Sequence, residues 1–478
     1  MPTEFISREI TIGNLRLGGS QPVRIQSMTN TPTLDTDATV KQIIQLVEAG
    51  CEMVRVTAAN IREAENLKNI RNALAGKSIN IPLIADIHFQ PKAAEIAACI
   101  VEKVRINPGN YSGSHHKAKK YSDTEYHKEL DKTAQNLKPL LNICKRHNTT
   151  IRIGINHGSL SDRILYRYGN TAKGMMASAM EFIRICRDDN FEKLTLSLKA
   201  SDVPTMIQAN RMMVREMQKQ GLDYPLHLGV TEAGNETEGR IKSAMGIGTL
   251  LAEGIGDTIR VSLTEAPENE IPVARRLVEF YGCRHTKHEV KISYAPYGEI
   301  SVQRRPAIAL VDETKISLAD KKMLLLSYSN LPHRDLLIRA AVDFNLAYES
   351  KKADGLLIDN GQEGDSRHLK ELALEILQAR GLRYSKTEFI ACPSCGRTLF
   401  DIEKVLEKVK NQFGNIQGLK IAVMGCFVNG PGEMAGADYG IVGAGYGKIN
   451  LYKEGKILFK NLPEEEALDI LEKLILAK

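Results

Sequence analysis

Residues 151–156 read Ile-Arg-Ile-Gly-Ile-Asn. Apolar, β-branched residues at every second position mark a strand, and the arginine between two of them is the unusual feature, because side chains two apart share a face. The same pattern recurs outward along the chain in Val54-Arg55-Val56, Val104-Arg105-Ile106, Leu198-Lys199-Ala200 and Ile259-Arg260-Val261. VRIQSMT from Val23, IPLIADIH from Ile81 and LHLGVTEA from Leu226 complete a set of eight strands. Segments of helical period lie between them, such as TVKQIIQLVEAG before Cys51, and PVARRLVEFYG supplies an eighth helix. Eight strand–helix units in about 280 residues is the count and size of a (β/α)8 barrel. A doubly wound open sheet is the second reading; it usually carries a Gly-rich turn after its first strand, and here that strand ends in SMTNTPT.

The full length of 478 residues suggests about three domains. The sequence divides into a barrel over 1–283, an inserted α/β unit over 284–386 and a compact α/β domain over 387–478. The insert opens with the charged run RHTKHEVK, then alternates apolar strands with helices and shows no catalytic constellation; Asp312 and Asp359 at its strand ends read as turn or cap residues. In the last domain KINLYKEGKILF is a hairpin turning at Glu454-Gly455, and the final helix opens at Pro463 with three glutamates. Apolar residues make up 43% and charged residues 26%, the balance of a globular protein rather than a disordered one. With no Trp and 5% aromatics, an aromatic stacking surface for nucleic acid is not expected, and a net charge of +6 is small for the length. No apolar run reaches a membrane span, and MPTEFISREITIG is neither a secretory nor a transit signal, so a cytoplasmic protein is expected.

If the apolar neighbours of the five strand cations face the surrounding helices, Arg55, Arg105, Arg152, Lys199 and Arg260 face the barrel axis. Thr57, Asn107, Asn156 and Ser262 continue that face. Individual pairing with Asp86, Asp202, Glu232 or Asp257 is the plain alternative. Five cations converging in a low-dielectric mouth repel one another, and a bound polyanion resolves this, since guanidinium groups grip phosphate oxygens bidentately. Barrel active sites lie at the C-terminal mouth of the strands, where these residues fall. The expected ligand is therefore a small molecule with several negative charges, most simply a diphosphate. Asp86, His88 and Glu232 add proton-transfer groups at the same mouth, and the basic, Gly/Ser-rich loop from Asn107 is either a lid or a solvated loop.

Of eight cysteines, Cys51, Cys99, Cys144, Cys186 and Cys283 read as small core residues, whereas Cys392-x2-Cys395 and Cys426 form a set. All eleven His lie at or before His368, so the terminal domain has three cysteines and no histidine. Zinc completed by a distant residue and a redox pair remain open readings. Three cysteines with one open position suit a [4Fe–4S] cluster with a non-cysteine fourth ligand, for which Glu433, in the turn NGPGE, is the local candidate.

CPSCGRT at Cys392 and GCFVNGPGE at Gly425 closely resemble the iron–sulfur motifs of the 4-hydroxy-3-methylbut-2-en-1-yl diphosphate synthase family, of the methylerythritol phosphate route. QSMTNT, VRVT, ADIHF, VRINPGN, RIGINHGSL, SLKASD, GVTEAG and IRVSLT are similar to that family too, and the insert matches its longer, three-domain form. The resemblance implies reductive opening of 2-C-methyl-D-erythritol 2,4-cyclodiphosphate by two electrons from reduced ferredoxin or flavodoxin. It implies a [4Fe–4S] cluster on Cys392, Cys395, Cys426 and Glu433, whose unique iron binds substrate. It puts Arg55, Arg105, Arg152, Lys199 and Arg260 on the diphosphate, with Asn107, Asn156, Thr231 and Ser262 nearby, and Asp86, His88 and Glu232 in the pocket. In the short form the cluster domain caps a partner's barrel; the insert here suits a spacer that lets it reach its own, so a monomer or a homodimer fits. Two other classes stay open from the residues alone. One is a non-redox phosphate-ester enzyme with structural zinc. The other is an RNA-binding scaffold, against which the near-balanced charge of the terminal domain argues.

Overall fold

The computed structural model describes residues 5–111, 120–283, 291–297, 309–311, 321–361, 366–428, 430–434 and 436–476. Part of the candidate lid (112–119), Asp312 and Asn429 lie outside them. All eight expected barrel strands form: β1 Arg24–Met28, β2 Met53–Thr57, β3 Leu83–Asp86, β4 Lys103–Ile106, β5 Thr150–Asn156, β6 Leu194–Lys199, β7 His227–Leu228 and β8 Thr258–Ile259. They pair in parallel in chain order from β1 to β6, β8 joins β1 to β7, and a parallel bridge between Leu196 and Leu226 closes the ring. Helices follow the strands with the expected chemistry. Thr36–Ala49 is capped by Asp35 and ends on Gly50 at φ 101°, a left-handed stop that glycine adopts freely. At the far end of the barrel the hairpin Ile10–Ile12/Leu15–Leu17 packs Ile10, Ile12 and Leu17 on Met53 and Ile84 and plugs the ring.

The insert builds a four-stranded sheet from β9 Lys291–Pro296, β10 Ala309–Leu310, β11 Lys322–Ser327 and β12 Gly355–Asp359, in the order β9-β11-β12-β10. Asp359 accepts from the Gly361 N–H at 3.0 Å, the turn role expected of it. Leu324, Leu326, Leu356 and Ile358 join the barrel's core in one continuous cluster, while Met323, Leu325 and Leu357 on the other face form a small cluster of their own. Its helix His333–Ser350 lies against the barrel's π-turn Ala244–Gly248, where a Cβ on Gly248 would stand 2.4 Å from Val342 Cγ2, and Asn345 Nδ2 donates to Thr249 Oγ1 at 3.1 Å.

The terminal sheet has β13 Glu388–Ala391, β14 Lys420–Met424, β15 Tyr439–Gly445, β16 Lys448–Lys453 and β17 Lys456–Pro463, in chain order, with the first three parallel. Glu454 and Gly455 have φ of 48° and 75°, the paired left-handed residues of a tight hairpin turn, as expected. This sheet has apolar clusters of its own. Two of the eight cysteines depart from the sequence reading: Cys99 and Cys283 are exposed, each just past the end of a helix on the outer surface, while Cys51, Cys144 and Cys186 are buried.

Candidate active site

The inward face of each strand carries its cation to the C-terminal mouth. Arg55, Arg105, Arg152, Lys199 and Arg260 line one cleft with Asp86, His88, Asn156, Thr231, Glu232 and Ser262. Glycine makes room for them: a Cβ on Gly154 would lie 2.3 Å from Arg105 Nε, and one on Gly229 2.5 Å from Lys199 Nζ.

The cations divide into two groups. Arg105 Nη1 is 3.3 Å from Asp86 Oδ1, and its Nη2 donates to the Gly154 carbonyl at 2.9 Å and to Asn156 Oδ1 at 3.4 Å. Arg260 makes a two-pronged pair with Glu270, Nη2–Oε1 2.8 Å and Nε–Oε2 3.1 Å, and Ser27 Oγ donates to Glu270 Oε2 at 2.7 Å. Arg55, Arg152 and Lys199 make no ion pair among the described residues, and Arg152 Nε and Nη1 are buried without a partner. Burial first, then mutual repulsion, lowers the Arg152 and Lys199 pKa values well below the ordinary range. Arg55 falls to about 10 by burial, with the Asp86 charge working the other way. Unpaired buried cations of this density call for an anionic ligand.

The acids correct the sequence reading. Of the four offered as partners only Asp86 pairs with a strand cation. Asp202 caps the helix Val203–Lys219, because its position just past β6 is a helix start. Asp257 binds Ser7 Oγ and the Leu226 N–H at the plugged end, because it precedes β8 rather than following it. Glu232 makes no ion pair among the described residues. Glu270, the partner of Arg260, lies on a helix after the eighth strand, and no local pattern in the sequence links the two.

Asp86 is the hub. Burial alone would raise its carboxyl, but Arg55, His88 and Arg105 hold it well below the ordinary carboxylate range. His88 Nε2 lies between Arg105 Nη1 at 2.9 Å and Asp86 Oδ2 at 3.2 Å. Burial and the Arg397 charge bring its pKa down to about 3. Asn107 belongs to the wall rather than the cleft: its Nδ2 donates to Ser159 Oγ at 2.8 Å and its Oδ1 accepts from the Gly109 N–H at 3.1 Å, which shapes the turn after β4.

The terminal domain closes this mouth. Cys392, Cys395 and Cys426 line the same cleft as the cations, together with Ser394, Arg397 and Met424. β13 docks on the loop after β7 through a parallel bridge between Ala233 and Ala391, and Thr264 Oγ1 donates to the Cys392 carbonyl at 3.1 Å. Lys242, itself buried, reaches Glu238 at 3.0 Å and Glu388 at 3.5 Å. Arg397 Nη2 meets Asp86 Oδ2 at 3.1 Å. Sequence reasoning missed Arg397; the signal was a cation two residues past a CxxC pair.

Glu433 ends a single helical turn, Gly430–Glu433, rather than an open turn. Its carboxylate is buried against the barrel, accepting from the Gly158 N–H at 3.2 Å and from Thr231 Oγ1 at 3.4 Å. Burial and the neighbouring Glu232 push its carboxyl well above the ordinary range. Glu232, at φ 50° and with Oε2 unpartnered, is raised to about 7 by burial. Glu232 Oε2, buried and unpartnered, lines the cleft together with the three sulfurs. The three sulfurs and Glu433 thus fit an iron–sulfur group in chemistry. Cys392 Sγ already accepts the Gly425 N–H at 3.2 Å, as a ligating sulfur would. Among the described residues no three His, Cys, Asp or Glu side chains gather closely enough to hold a single metal ion.

Comparison with known proteins agrees with this architecture. The family described as the GcpE TIM-barrel domain matches residues 7–275, and the GcpE protein C-terminal domain matches 388–477. A curated protein of Phocaeicola vulgatus named 4-hydroxy-3-methylbut-2-en-1-yl diphosphate synthase (flavodoxin) is 41% identical, covering 98% of this chain and 97% of its own. Proteins of the same name from Parabacteroides distasonis and Akkermansia muciniphila are 41% and 39% identical, covering 97% and 99% of this chain and 96% of each of theirs. The first of these alignments spans 599 positions, more than the 478 residues here, so that relative carries segments this chain lacks. The matches span the barrel and the terminal domain, and the chain belongs to the GcpE family, that of the 4-hydroxy-3-methylbut-2-en-1-yl diphosphate synthases.

Proposed function

We propose that this chain carries out the reaction for which its relatives are named, reducing and opening 2-C-methyl-D-erythritol 2,4-cyclodiphosphate to 4-hydroxy-3-methylbut-2-en-1-yl diphosphate with loss of water. The observation that carries the reading is that three cysteines of the terminal domain and five barrel cations line one cleft. Cys392, Cys395, Cys426 and Glu433 would hold a [4Fe–4S] cluster. When bound, that group supplies single-electron transfer and Lewis acidity beside the substrate.

The remaining work falls to the chain's own residues. Arg55, Arg152 and Lys199, which make no ion pair among the described residues, take the phosphate oxygens and fix the ring in one orientation. Arg105 and Arg260, held by Asp86 and Glu270, stay in place to stabilise charge on the phosphate that is released from carbon. Glu232 is the proton source: with a pKa of about 7 it holds a proton near neutrality, and its free Oε2 presents it to the departing hydroxyl. His88, neutral and bonded to Arg105, orients the Asp86–Arg105 pair.

The relatives' names support flavodoxin as the electron donor. The cleft takes its residues from one chain, which suits a monomer, with the insert over 284–386 as a spacer on the barrel and the cluster domain over 387–478 as the cap. The test is iron and acid-labile sulfide after anaerobic purification or reconstitution. About four of each per chain agrees with one [4Fe–4S] cluster; zinc without sulfide contradicts it.

A further inference from the structure

Arg397 is a sixth cation in a mouth that already holds five, and it arrives with the other domain. Its side chain is 13% exposed, and Nη2 donates to Asp86 Oδ2 at 3.1 Å. Nε and Nη1 are buried and have no partner among the described residues. On the barrel side it faces Asp86 but also Arg55, Arg105 and the His88 ring. On its own side it faces Cys395 and Cys426. One carboxylate, shared with Arg105, does not offset burial and two cationic neighbours. The charge that makes this position favourable lies on the sulfur side.

We propose that Arg397 is a positioning residue which, tied to Asp86, holds a fixed positive charge against the Cys395 and Cys426 sulfurs and thereby raises the reduction potential of the group they hold. The inference rests on the reading that the three cysteines carry an iron–sulfur cluster. Reduction adds one electron, taken from an external donor that is oxidised by one electron, and leaves the site one unit more negative. A guanidinium in a water-poor site stabilises that extra charge more than it stabilises the oxidised form. Because the tie runs from the terminal domain to the third barrel strand, the potential belongs to the closed arrangement. The Asp86 carboxylate partly offsets Arg397, so the two residues act on the potential with opposite signs.

The experiment is a redox titration of the anaerobically reconstituted chain with dithionite and mediator dyes, followed by visible absorption. R397Q is expected to lower the equilibrium constant for one-electron reduction at least tenfold, which is 59 mV. R397K, which keeps the charge, stays within threefold of the unaltered chain. D86N, which removes the offsetting carboxylate, raises the constant at least threefold and carries the test if R397Q does not load. A loaded R397Q with an unmoved potential, or a loaded D86N whose potential is unmoved or lower, overturns the inference and leaves the proposed function standing. An unaltered chain that takes up no iron and sulfide overturns both.

Discussion

Asp86 Oδ2 and Arg397 Nη2, 311 residues apart, meet at 3.1 Å where the terminal domain closes on the barrel. The same carboxylate holds Arg105 and lies beside His88, so one acid at the end of one strand organises cations from both domains. Removing it leaves several buried cations uncompensated. Asp86→Asn is expected to cost about 3–5 kcal/mol of stability, read from denaturant unfolding. Added inorganic pyrophosphate restores more stability to this variant than to the unaltered chain.

Closure also depends on two bare backbones. A Cβ built on Gly432 would lie 1.6 Å from the Gly158 carbonyl oxygen, and one on Gly158 would lie 2.4 Å from the Gly432 carbonyl carbon. Gly432→Ala therefore forces the domains apart just beside Glu433. Turnover is expected to fall by about a hundredfold or more, since a misplacement of about 1 Å already costs that much. Substrate affinity, measured by equilibrium dialysis, stays within a few-fold because the barrel cations are untouched. Equal turnover in this variant would show that the close approach is dispensable.

Lys103, on β4 one pleat below Arg105, is fully buried, and its Nζ points to Met53 Sδ at 3.9 Å. Burial, then Arg152 and Arg55, hold its pKa well below the ordinary lysine range. The folded lysine gives up its proton at a lower pH than the unfolded one, so stability rises with pH between those two points. Lys103→Met, similar in volume and without the charge, is expected to stabilise the chain by about 1–4 kcal/mol near neutral pH. A lower unfolding midpoint would contradict this.

Asp343, on the insert's helix His333–Ser350, accepts from Tyr328 Oη at 2.9 Å and Tyr281 Oη at 3.4 Å, which joins insert to barrel. Burial raises its carboxyl to about 6. The folded form keeps the proton that the unfolded form loses near pH 4, so this group's contribution falls as pH rises from about 4 through about 6. Asp343→Asn is expected to flatten the stability profile in that window and to gain about 2–3 kcal/mol above it. Thermal midpoints across pH 4–8 check the sign.

The sequence made the barrel legible because alternation with one misplaced cation is a strong local signal, and all eight strands lie where that alternation put them. Five cations, two acids and the three cysteines do share a cleft. What sequence reasoning lost was pairing across distance. Glu270 and Arg260 come together only because a helix after the last strand folds back under the mouth. Arg397 reaches Asp86 only when one domain sits on another. Asn107 continues the inward face of its strand by count, yet the chain turns at Pro108 and sends it into the wall. The exposed Cys99 and Cys283 follow apolar helical runs in sequence, and only the packing shows which side of each helix end faces out.

We propose that one chain brings reducing equivalents to a bound cyclic diphosphate. Anaerobic turnover tests it most directly: the reconstituted chain, 2-C-methyl-D-erythritol 2,4-cyclodiphosphate and reduced flavodoxin, with product followed by mass. The unaltered chain is expected to yield 4-hydroxy-3-methylbut-2-en-1-yl diphosphate only with the reductant, and Cys426→Ser none. A chain carrying its full iron and sulfide that binds the cyclic diphosphate and yields no product would contradict it.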